Sequence, residues 1–143
     1  MADRLSEEMI RELSKKALEA RKMAYAPYSH FMVGACLLCA DGSMYCGCNI
    51  ENAAYGPSNC AERTAIFKAV SEGERSFTAI AIAGGNEQDT ELGYCPPCGV
   101  CRQVMREFCN DDFVIILACS ELQYKVYTLG ELLPCSFTLD TDG

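Results

Sequence analysis

Apolar and polar positions at the start of the chain predict an amphipathic helix. Ser6 followed by Glu7 and Glu8 is typical of a helix N-cap with acidic residues in the first turn. Apolar residues then recur at helical spacing to about Ala24, and Pro27 ends the helix because proline cannot continue one.

The pattern after this helix predicts a β-hairpin and then alternating helices and strands. Residues 31–40 are mostly apolar, the Asp-Gly pair at 41–42 is typical of a tight turn, and residues 43–48 form the returning strand. The later predicted elements are a polar loop over 49–59, a helix from Cys60 to Gly73, a buried strand over 77–83, a loop over 84–97, a helix opened by Pro97, strands over 113–119 and 123–128, and a final turn over 129–133.

This order of elements predicts an α/β fold. Parallel strands need crossover connections, which the helices supply, whereas a hairpin is antiparallel. We therefore expect a three-layer α/β/α sandwich with a mixed sheet of about five strands and helices on both faces. A length of 143 residues without an internal repeat or long linker predicts one domain over residues 1–143.

The charge balance narrows the classes of partner. The chain has 12 Lys and Arg against 20 Asp and Glu, a net charge of −8. Such a surface repels phosphate backbones, so we expect no nucleic-acid partner. Its apolar runs are far shorter than the roughly 18–20 residues of a membrane span, so we expect no membrane partner. The charged N-terminal residues resemble no export signal, and we expect a cytoplasmic protein, with the nucleus also open to a chain this small.

The chain has eleven cysteines, and their thiols could form disulfides, pack in the interior or bind a metal. An odd number in a chain without an export signal indicates reduced thiols and not a secreted disulfide scaffold. Seven cysteines stand among apolar neighbours and are predicted to pack in the interior; these are Cys36, Cys39, Cys46, Cys48, Cys109, Cys119 and Cys135.

The other four cysteines stand where a metal could bind. Cys98 and Cys101 form a C-x-x-C motif after Pro97, on one face of a predicted helix start, where the positive helix end favours thiolates. Cys60 begins another predicted helix. Three thiolates with an open fourth position match a catalytic zinc site, whereas Cys95 as a fourth ligand would make a closed structural site. A redox role is the usual competitor for a lone C-x-x-C.

Two charged residues beside Cys60 extend the candidate site. Glu62 is predicted to act as a general acid and base, with a solvated helix position as the alternative. Arg63 would hydrogen-bond the thiolates and offset their excess negative charge, with an ordinary exposed arginine as the alternative. The single histidine, His30, excludes a His-based metalloprotease site and is expected at the surface.

Several ordered motifs resemble the short, homotetrameric, zinc-dependent cytidine deaminases. Zinc nucleobase deaminases carry an H-x-E…P-C-x-x-C signature with a cysteine-only variant, and Cys60-Ala61-Glu62 with Pro97-Cys98-x-x-Cys101 matches that variant. The resemblance runs over nearly the whole chain, from about residue 23 to residue 137. The further matching segments are APYSHF at 26–31, GCNIEN at 47–52, CAERTA at 60–65, CRQVMR at 101–106 and ELLP at 131–134.

The resemblance implies a reaction of pyrimidine salvage. Cytidine and 2′-deoxycytidine would be hydrolytically deaminated to uridine and 2′-deoxyuridine with release of ammonia. One zinc ion per subunit, held by Cys60, Cys98 and Cys101, would supply hydroxide, and Glu62 would be the proton shuttle.

The resemblance also implies a set of substrate contacts. Asn49 and Glu51 would hold the ribose hydroxyls, the Ala61 backbone would contact the base, and Phe31 would form an aromatic wall. Phe137 would enter the site of a neighbouring subunit, which makes a homotetramer with shared active sites part of the catalyst. The alternatives are core positions for the two phenylalanines, a turn cap for Asn49 and a solvated carboxylate for Glu51; Tyr55 is equally balanced between the site and the surface.

Two departures from the family pattern leave the pocket and the preference between cytidine and deoxycytidine open. Pro96 and Val100 stand where serine and alanine are common in the family. A carbonyl at position 96 can still contact the departing amino group, whereas Val100 is expected to crowd the pocket. Two rival functions are a deaminase of a related small molecule such as blasticidin S, which would not need the ribose contacts, and a non-catalytic zinc module closed by Cys95.

Overall fold

The order of secondary-structure elements follows the predicted alternation. The structure is a computed structural model in which residues 5–139 are described. Its elements are α1 (Glu7–Arg21), β1 (Phe31–Cys39), β2 (Met44–Cys48), α2 (Ala61–Ser71), β3 (Phe77–Asn86), α3 (Gly99–Phe108), β4 (Val114–Ala118), β5 (Tyr124–Thr128) and α4 (Leu129–Leu132).

The five strands form one mixed sheet in the order β2-β1-β3-β4-β5. The β1–β2 hairpin is antiparallel, and β1 also pairs antiparallel with β3. β3 and β4 are parallel, with α3 in the crossover between them, and β5 returns antiparallel to β4. The mixed sheet therefore combines the antiparallel hairpin and the parallel crossover that the sequence predicts.

Helix α1 covers one face of the sheet. Ser6 caps it by accepting a hydrogen bond from the Met9 amide at 3.0 Å, as its sequence predicts. Its buried stripe of Ile10, Leu13 and Ala17 packs on side chains from one face of β1, β3 and β4. The helix ends at Arg21, earlier than expected, because residues 22–24 close tighter turns by hydrogen bonds to carbonyls three residues back.

Helices α2, α3 and α4 cover the opposite face. Ala65 and Ile66 of α2, Met105 of α3 and Leu129 of α4 are fully or almost fully buried against the alternate side chains of the same strands. The predicted three-layer α/β/α sandwich is thereby confirmed. Among the described residues, no helix has both the length and the hydropathy that a bilayer crossing requires.

Strand β3 and two cysteines differ from the sequence prediction. β3 runs three residues further than expected, because Gly84 and Gly85 pair with β1 as regular strand residues.

Cys36 and Cys39 are buried as predicted, but Cys46 and Cys135 are exposed in this chain, so the prediction of interior packing is wrong for those two. Cys46 lies on β2, which is an edge of the sheet, and therefore lacks a covering strand on one side.

Two glycines let the helices touch the hairpin backbone to backbone. A Cβ atom at Gly34 would lie 2.1 Å from the Ala17 carbonyl oxygen, and one at Gly47 would lie 2.6 Å from the Ala65 nitrogen. No side chain fits at either contact. Gly34 thus fixes the distance of α1 from the sheet, and Gly47 fixes the N-terminal half of α2.

The Gly34 contact yields a stability prediction. Gly34→Ala should destabilise the protein by about 3 kcal/mol and lower its melting temperature by roughly 6–12 °C, since the added methyl meets backbone atoms that cannot rotate away. Gly93→Ala is the matched control, because nothing lies within 4 Å of a Cβ there. Calorimetry or circular dichroism measures both variants, and equal melting temperatures would contradict the packing argument.

Candidate active site

An open cleft of about 640 Å³ lies where the N-terminal ends of α2 and α3 approach the start of β1. The loop that follows β2 forms its remaining wall. The cleft contains most of the residues that the sequence singles out for function; its lining is Ser29, Phe31, Val33, Asn49, Glu51, Tyr55, Gly56, Ser58, Asn59, Cys60, Ala61, Glu62, Arg63, Cys95, Pro96 and Cys98.

Three thiols converge at the starts of α2 and α3, and two of them, Cys60 and Cys98, line the cleft. Cys60 is the N-cap residue of α2, Cys98 is the N-cap residue of α3, and Cys101 lies in the first turn of α3. The Sγ atoms of Cys60 and Cys98 are 3.9 Å apart, and those of Cys98 and Cys101 are 3.4 Å apart. All three lie within 4.8 Å of one another, so the structure brings together the thiols predicted as metal ligands.

The spacing of these thiols fits a zinc ion. Zinc holds thiolate sulfurs at about 2.3 Å in a tetrahedron, which places two sulfurs about 3.8 Å apart. The two sulfur separations in the site, 3.9 and 3.4 Å, lie on either side of that value. Thiolates are also ligands that zinc prefers over oxygen donors. Cys60, Cys98 and Cys101 could therefore hold a metal ion and leave a fourth position open.

The surroundings favour ionised sulfur at Cys60. Hydrogen bonds from the Cys101 thiol and then from Arg63 lower the pKa of Cys60 to about 5. The Arg63 guanidinium donates through Nη2 to the Cys60 sulfur at 3.1 Å. The predicted contact between Arg63 and the thiol cluster is therefore present.

Glu62 lies beside the thiols, almost entirely out of solvent. Its side chain lines the cleft, but the residue is only 4% exposed. Burial raises the pKa of Glu62 to about 7, and the negative charge of Cys60 acts in the same direction. A buried carboxyl group that exchanges protons near neutral pH is suited to general acid and base chemistry, so the solvated alternative is excluded.

Cys95 and Val100 do not act on the site as the sequence suggested they could. Cys95 lines the cleft, yet its thiol is not part of the three-thiol group and instead packs so closely on Gly84 that a Cβ there would lie 2.8 Å from the sulfur. Burial, with the charges of Glu62 and Cys60, raises the pKa of Cys95 to about 11. Val100 is 58% exposed and lies outside the cleft, so the expectation that it crowds the pocket is wrong. Pro96 does line the cleft.

Asn49 and Glu51 also line the cleft, on a loop fixed by backbone hydrogen bonds to Tyr25. The Asn49 amide accepts from the Val33 nitrogen and donates to the Phe31 carbonyl, both at 2.8 Å, and thus braces the start of β1. An amide group has two hydrogens and two lone pairs, so one of each is left for a ligand. Ala61 and Phe31 also line the cleft.

Phe137 is the one predicted site residue that the structure places elsewhere. It is 69% exposed and does not line the cleft of its own chain. The Gln103 side chain donates to the Phe137 carbonyl at 3.2 Å, which ties the C-terminal segment to α3. Tyr55, which the sequence left undecided, lines the cleft while remaining 73% exposed.

Ser29 is a cleft residue whose role the sequence did not reveal. Its hydroxyl donates to the Glu51 carboxylate, and its backbone amide does so at 3.1 Å. A serine two residues before the start of β1 could have been recognised as a turn residue. Its partner is 22 residues further along the chain, and no local pattern indicates a contact at that separation.

Comparison with known proteins assigns the family. Residues 7–117 match the family model for the cytidine and deoxycytidylate deaminase zinc-binding region. The chain belongs to this deaminase family. It is 50% identical over 128 residues to the cytidine deaminase of Halalkalibacterium halodurans, which covers 90% of this chain and 93% of that relative.

A solved structure and a more distant relative extend the comparison of this deaminase. The crystal structure of the cytidine deaminase from Burkholderia pseudomallei superimposes with a TM-score of 0.79 at 45% identity, covering 88% of this chain and 97% of that one. The blasticidin-S deaminase of Bacillus cereus is 33% identical over 132 residues, covering 89% of this chain and 91% of that relative. The resemblance noted in the sequence is confirmed at the level of family, fold and zinc-binding region.

Zinc content tests which thiols of this deaminase are ligands. Cys98→Ser should lose most of its zinc on dialysis, because it removes one of three donors, whereas Cys95→Ser should retain as much as the unsubstituted protein. Elemental analysis of the dialysed proteins measures the metal-to-chain ratio, with circular dichroism to confirm folding. Full zinc in Cys98→Ser together with depleted zinc in Cys95→Ser would contradict the assignment.

Proposed function

We propose that this protein is a cytidine deaminase, which hydrolyses cytidine and 2′-deoxycytidine to uridine and 2′-deoxyuridine with release of ammonia. The observation that carries the proposal is the cleft itself, in which an open group of three thiols lies beside the buried carboxyl group of Glu62. The names of the relatives at 50% identity support the choice of substrate.

Cys60, Cys98 and Cys101 would hold one zinc ion per subunit. When bound, zinc supplies a Lewis acid that lowers the pKa of water toward neutrality. Arg63 contributes through its hydrogen bond to the Cys60 sulfur, which favours the thiolate form and reduces the negative charge of a three-thiolate site.

Glu62 would carry the protons of the reaction. It takes a proton from the water that attacks C4 of the pyrimidine ring and delivers it to N3, which makes C4 more electrophilic. It then transfers the water's second proton to the amino group, so that the C4–N bond breaks and ammonia leaves. A pKa of about 7 suits this exchange, because the group can both accept and donate near neutral pH.

The loop after β2 would hold the ribose. Asn49 and Glu51 offer a hydrogen-bond donor and acceptors to the sugar hydroxyls, the Ala61 backbone and the Pro96 carbonyl would contact the base, and Phe31 would form an aromatic wall. The carboxylate of Glu51 repels a phosphate group, which favours a nucleoside over a nucleotide or polynucleotide. The net charge of −8 acts in the same direction.

We also infer a homotetramer in which neighbouring subunits share active sites. Phe137 is exposed and does not line the cleft of its own chain, which supports a role in the cleft of another copy. Phe67 and Val100 lie together in an exposed apolar groove on α2 and α3, which supports self-association of this face.

In this proposal the whole chain is a single catalytic domain. Its eleven free cysteines support a cytoplasmic, reducing location.

Ammonia release from cytidine tests the proposed reaction. The zinc-loaded protein should release ammonia and form uridine, a chelator should abolish this, and added zinc should restore it. Glu62→Gln should keep its zinc and its melting temperature. Its kcat should fall about 10²–10⁴-fold, the typical contribution of a general acid or base. Ammonia production and the ultraviolet change from cytidine to uridine give the rate.

Three outcomes separate the alternatives in this experiment. Near-normal turnover by Glu62→Gln would contradict the proton-shuttle role alone. Turnover of blasticidin S in preference to cytidine would replace the substrate, as the 33% identical relative allows. A folded, zinc-loaded protein with no deaminase activity on either compound would favour the structural-zinc interpretation.

Shared active sites yield a second functional prediction. Phe137→Ala should lower kcat/KM for cytidine roughly 10–100-fold, because burial of a phenylalanine side chain is worth about 1.5–3 kcal/mol. Leu139→Ala is the matched control, since it lies two residues further along and is also exposed. Reassembly of Phe137→Ala chains with Glu62→Gln chains should restore activity, because intact Glu62 and intact Phe137 can then meet in one site. Failure of mixed assemblies to exceed the separate variants would contradict a shared site.

A further inference from the structure

The Glu51 carboxylate is held by three donors from one short segment. Oε1 accepts from the Tyr28 nitrogen at 3.0 Å and from the Ser29 nitrogen at 3.1 Å. Oε2 accepts from the Ser29 hydroxyl through a short hydrogen bond. These bonds lower the pKa of Glu51, with the Ser29 hydroxyl as the largest cause, and so keep the group ionised.

The Ser29 hydroxyl has no freedom to turn away from Glu51. A hydroxyl group has one hydrogen, and here that hydrogen is committed to the carboxylate. The same oxygen accepts a hydrogen bond from the Phe31 nitrogen at 3.0 Å. Ser29 therefore links the carboxylate of Glu51 to the backbone of Phe31, the first residue of β1.

The segment that carries Ser29 is itself anchored to the sheet. His30 has a φ of +59°, a left-handed conformation that a non-glycine residue adopts only when its surroundings hold it there. Its nitrogen bonds the Ala26 carbonyl at 3.0 Å, and its carbonyl accepts from the Glu87 nitrogen at 2.8 Å. The Glu87 carboxylate also contacts the His30 ring nitrogen Nδ1 at 2.9 Å. The three donors thus approach Glu51 from a fixed backbone.

Three bonded donors leave one acceptor position on Glu51. A carboxylate offers about four lone-pair sites, two on each oxygen. Both sites of Oε1 are used by backbone amides, and one site of Oε2 is used by Ser29. The remaining site belongs to Oε2, and the residue lines the cleft.

We propose that Ser29 is a positioning residue for substrate recognition, which orients Glu51 so that its one free lone pair accepts a hydrogen bond from the 2′- or 3′-hydroxyl of the ribose. The proposal rests on the proposed function, because it takes the ligand to be a nucleoside whose sugar lies against Glu51. Without the Ser29 hydroxyl, nothing holds Oε2, and the carboxylate can turn about its Cγ–Cδ bond. Oε2 is then no longer aimed at the sugar, although Oε1 keeps its backbone donors. Ser29 itself need not touch the substrate.

The chemistry confines the effect to one part of the substrate. Ser29 bonds neither the thiol group nor Glu62, so its loss should leave the deamination step intact. A nucleoside that lacks both the 2′- and the 3′-hydroxyl cannot use Glu51 in this way and should not sense Ser29. The interaction with Ser29 is thus separable from a general role in folding.

The test compares cytidine with 2′,3′-dideoxycytidine in Ser29→Ala. We expect kcat/KM for cytidine to fall about tenfold, mostly through KM, and kcat/KM for the dideoxynucleoside to change less than twofold. Ser29→Thr should recover most of the loss, since it restores a hydroxyl. Ser43→Ala is the matched control, because that serine also bonds a carboxylate, Asp41, through both its hydroxyl and its amide, in a turn that does not line the cleft.

A double-variant comparison supplies a second readout. If Ser29 acts through Glu51, Ser29→Ala should cost nothing further in a Glu51→Gln background. Equal losses for both nucleosides, or additive losses in the double variant, would overturn the proposal and leave Ser29 a structural residue. A wild-type enzyme that turns over both nucleosides equally well would remove the ribose contact and the proposal with it, while the deaminase function stands. No deamination of cytidine at all would instead overturn the proposed function.

Discussion

The close contact between α2 and the β1–β2 hairpin determines where the chemistry can occur. Gly47 lets the helix backbone approach the strand to a distance that admits no side chain, so the start of α2 is fixed against the sheet. Cys60 is the N-cap residue of that helix, and Cys98 is the N-cap residue of α3 on the same face. Because both helices begin at one point, thiols 38 residues apart come within 3.9 Å. A metal ion would find its donors already gathered, which reduces the ordering that binding requires.

The same convergence concentrates negative charge, and nearby hydrogen-bond donors compensate part of it. Cys60, Cys98 and two carboxyl groups line one cleft, with Cys101 beside them, and among the described residues that line it Arg63 is the only lysine or arginine. Arg63 bonds Cys60, and backbone amides bond Cys98 and Glu51. At Glu62 burial outweighs the donors, which are its own backbone amide and the Cys101 thiol, and the pKa is raised. The more deeply buried carboxyl group is thus the one suited to exchange protons, whereas Glu51, with three donors, stays an acceptor.

The sequence was sufficient for the elements and for the thiol group because those depend on local spacing. Ser6 caps α1 as expected, and Cys60 and Cys98 begin helices as expected, since caps and helix starts depend on a few adjacent residues. Contacts between distant segments were not predictable in this way. The packing of Cys95 on Gly84 and the direction of Val100 depend on how a loop and a helix settle on the sheet. The bond from Ser29 to Glu51 joins two loops that the strand pairing of β1 and β2 brings together.

In the proposed mechanism the reacting groups and the sugar contacts are held by different parts of the fold, and this division matters for specificity. The thiols and Glu62 belong to helix starts, whereas Asn49 and Ser29 are hydrogen-bonded to the first residues of β1, and Ser29 in turn bonds Glu51. Phe31 belongs to that same strand start, so the proposed aromatic wall and the proposed sugar contacts are fixed to one segment. Under this mechanism, a change in these loops would alter which nucleoside fits without replacing the reacting groups. The two sets of residues remain linked, since Cys60 follows directly from the loop that carries Glu51, and a nucleoside would reach Glu62 in the right geometry only if its sugar fitted that loop.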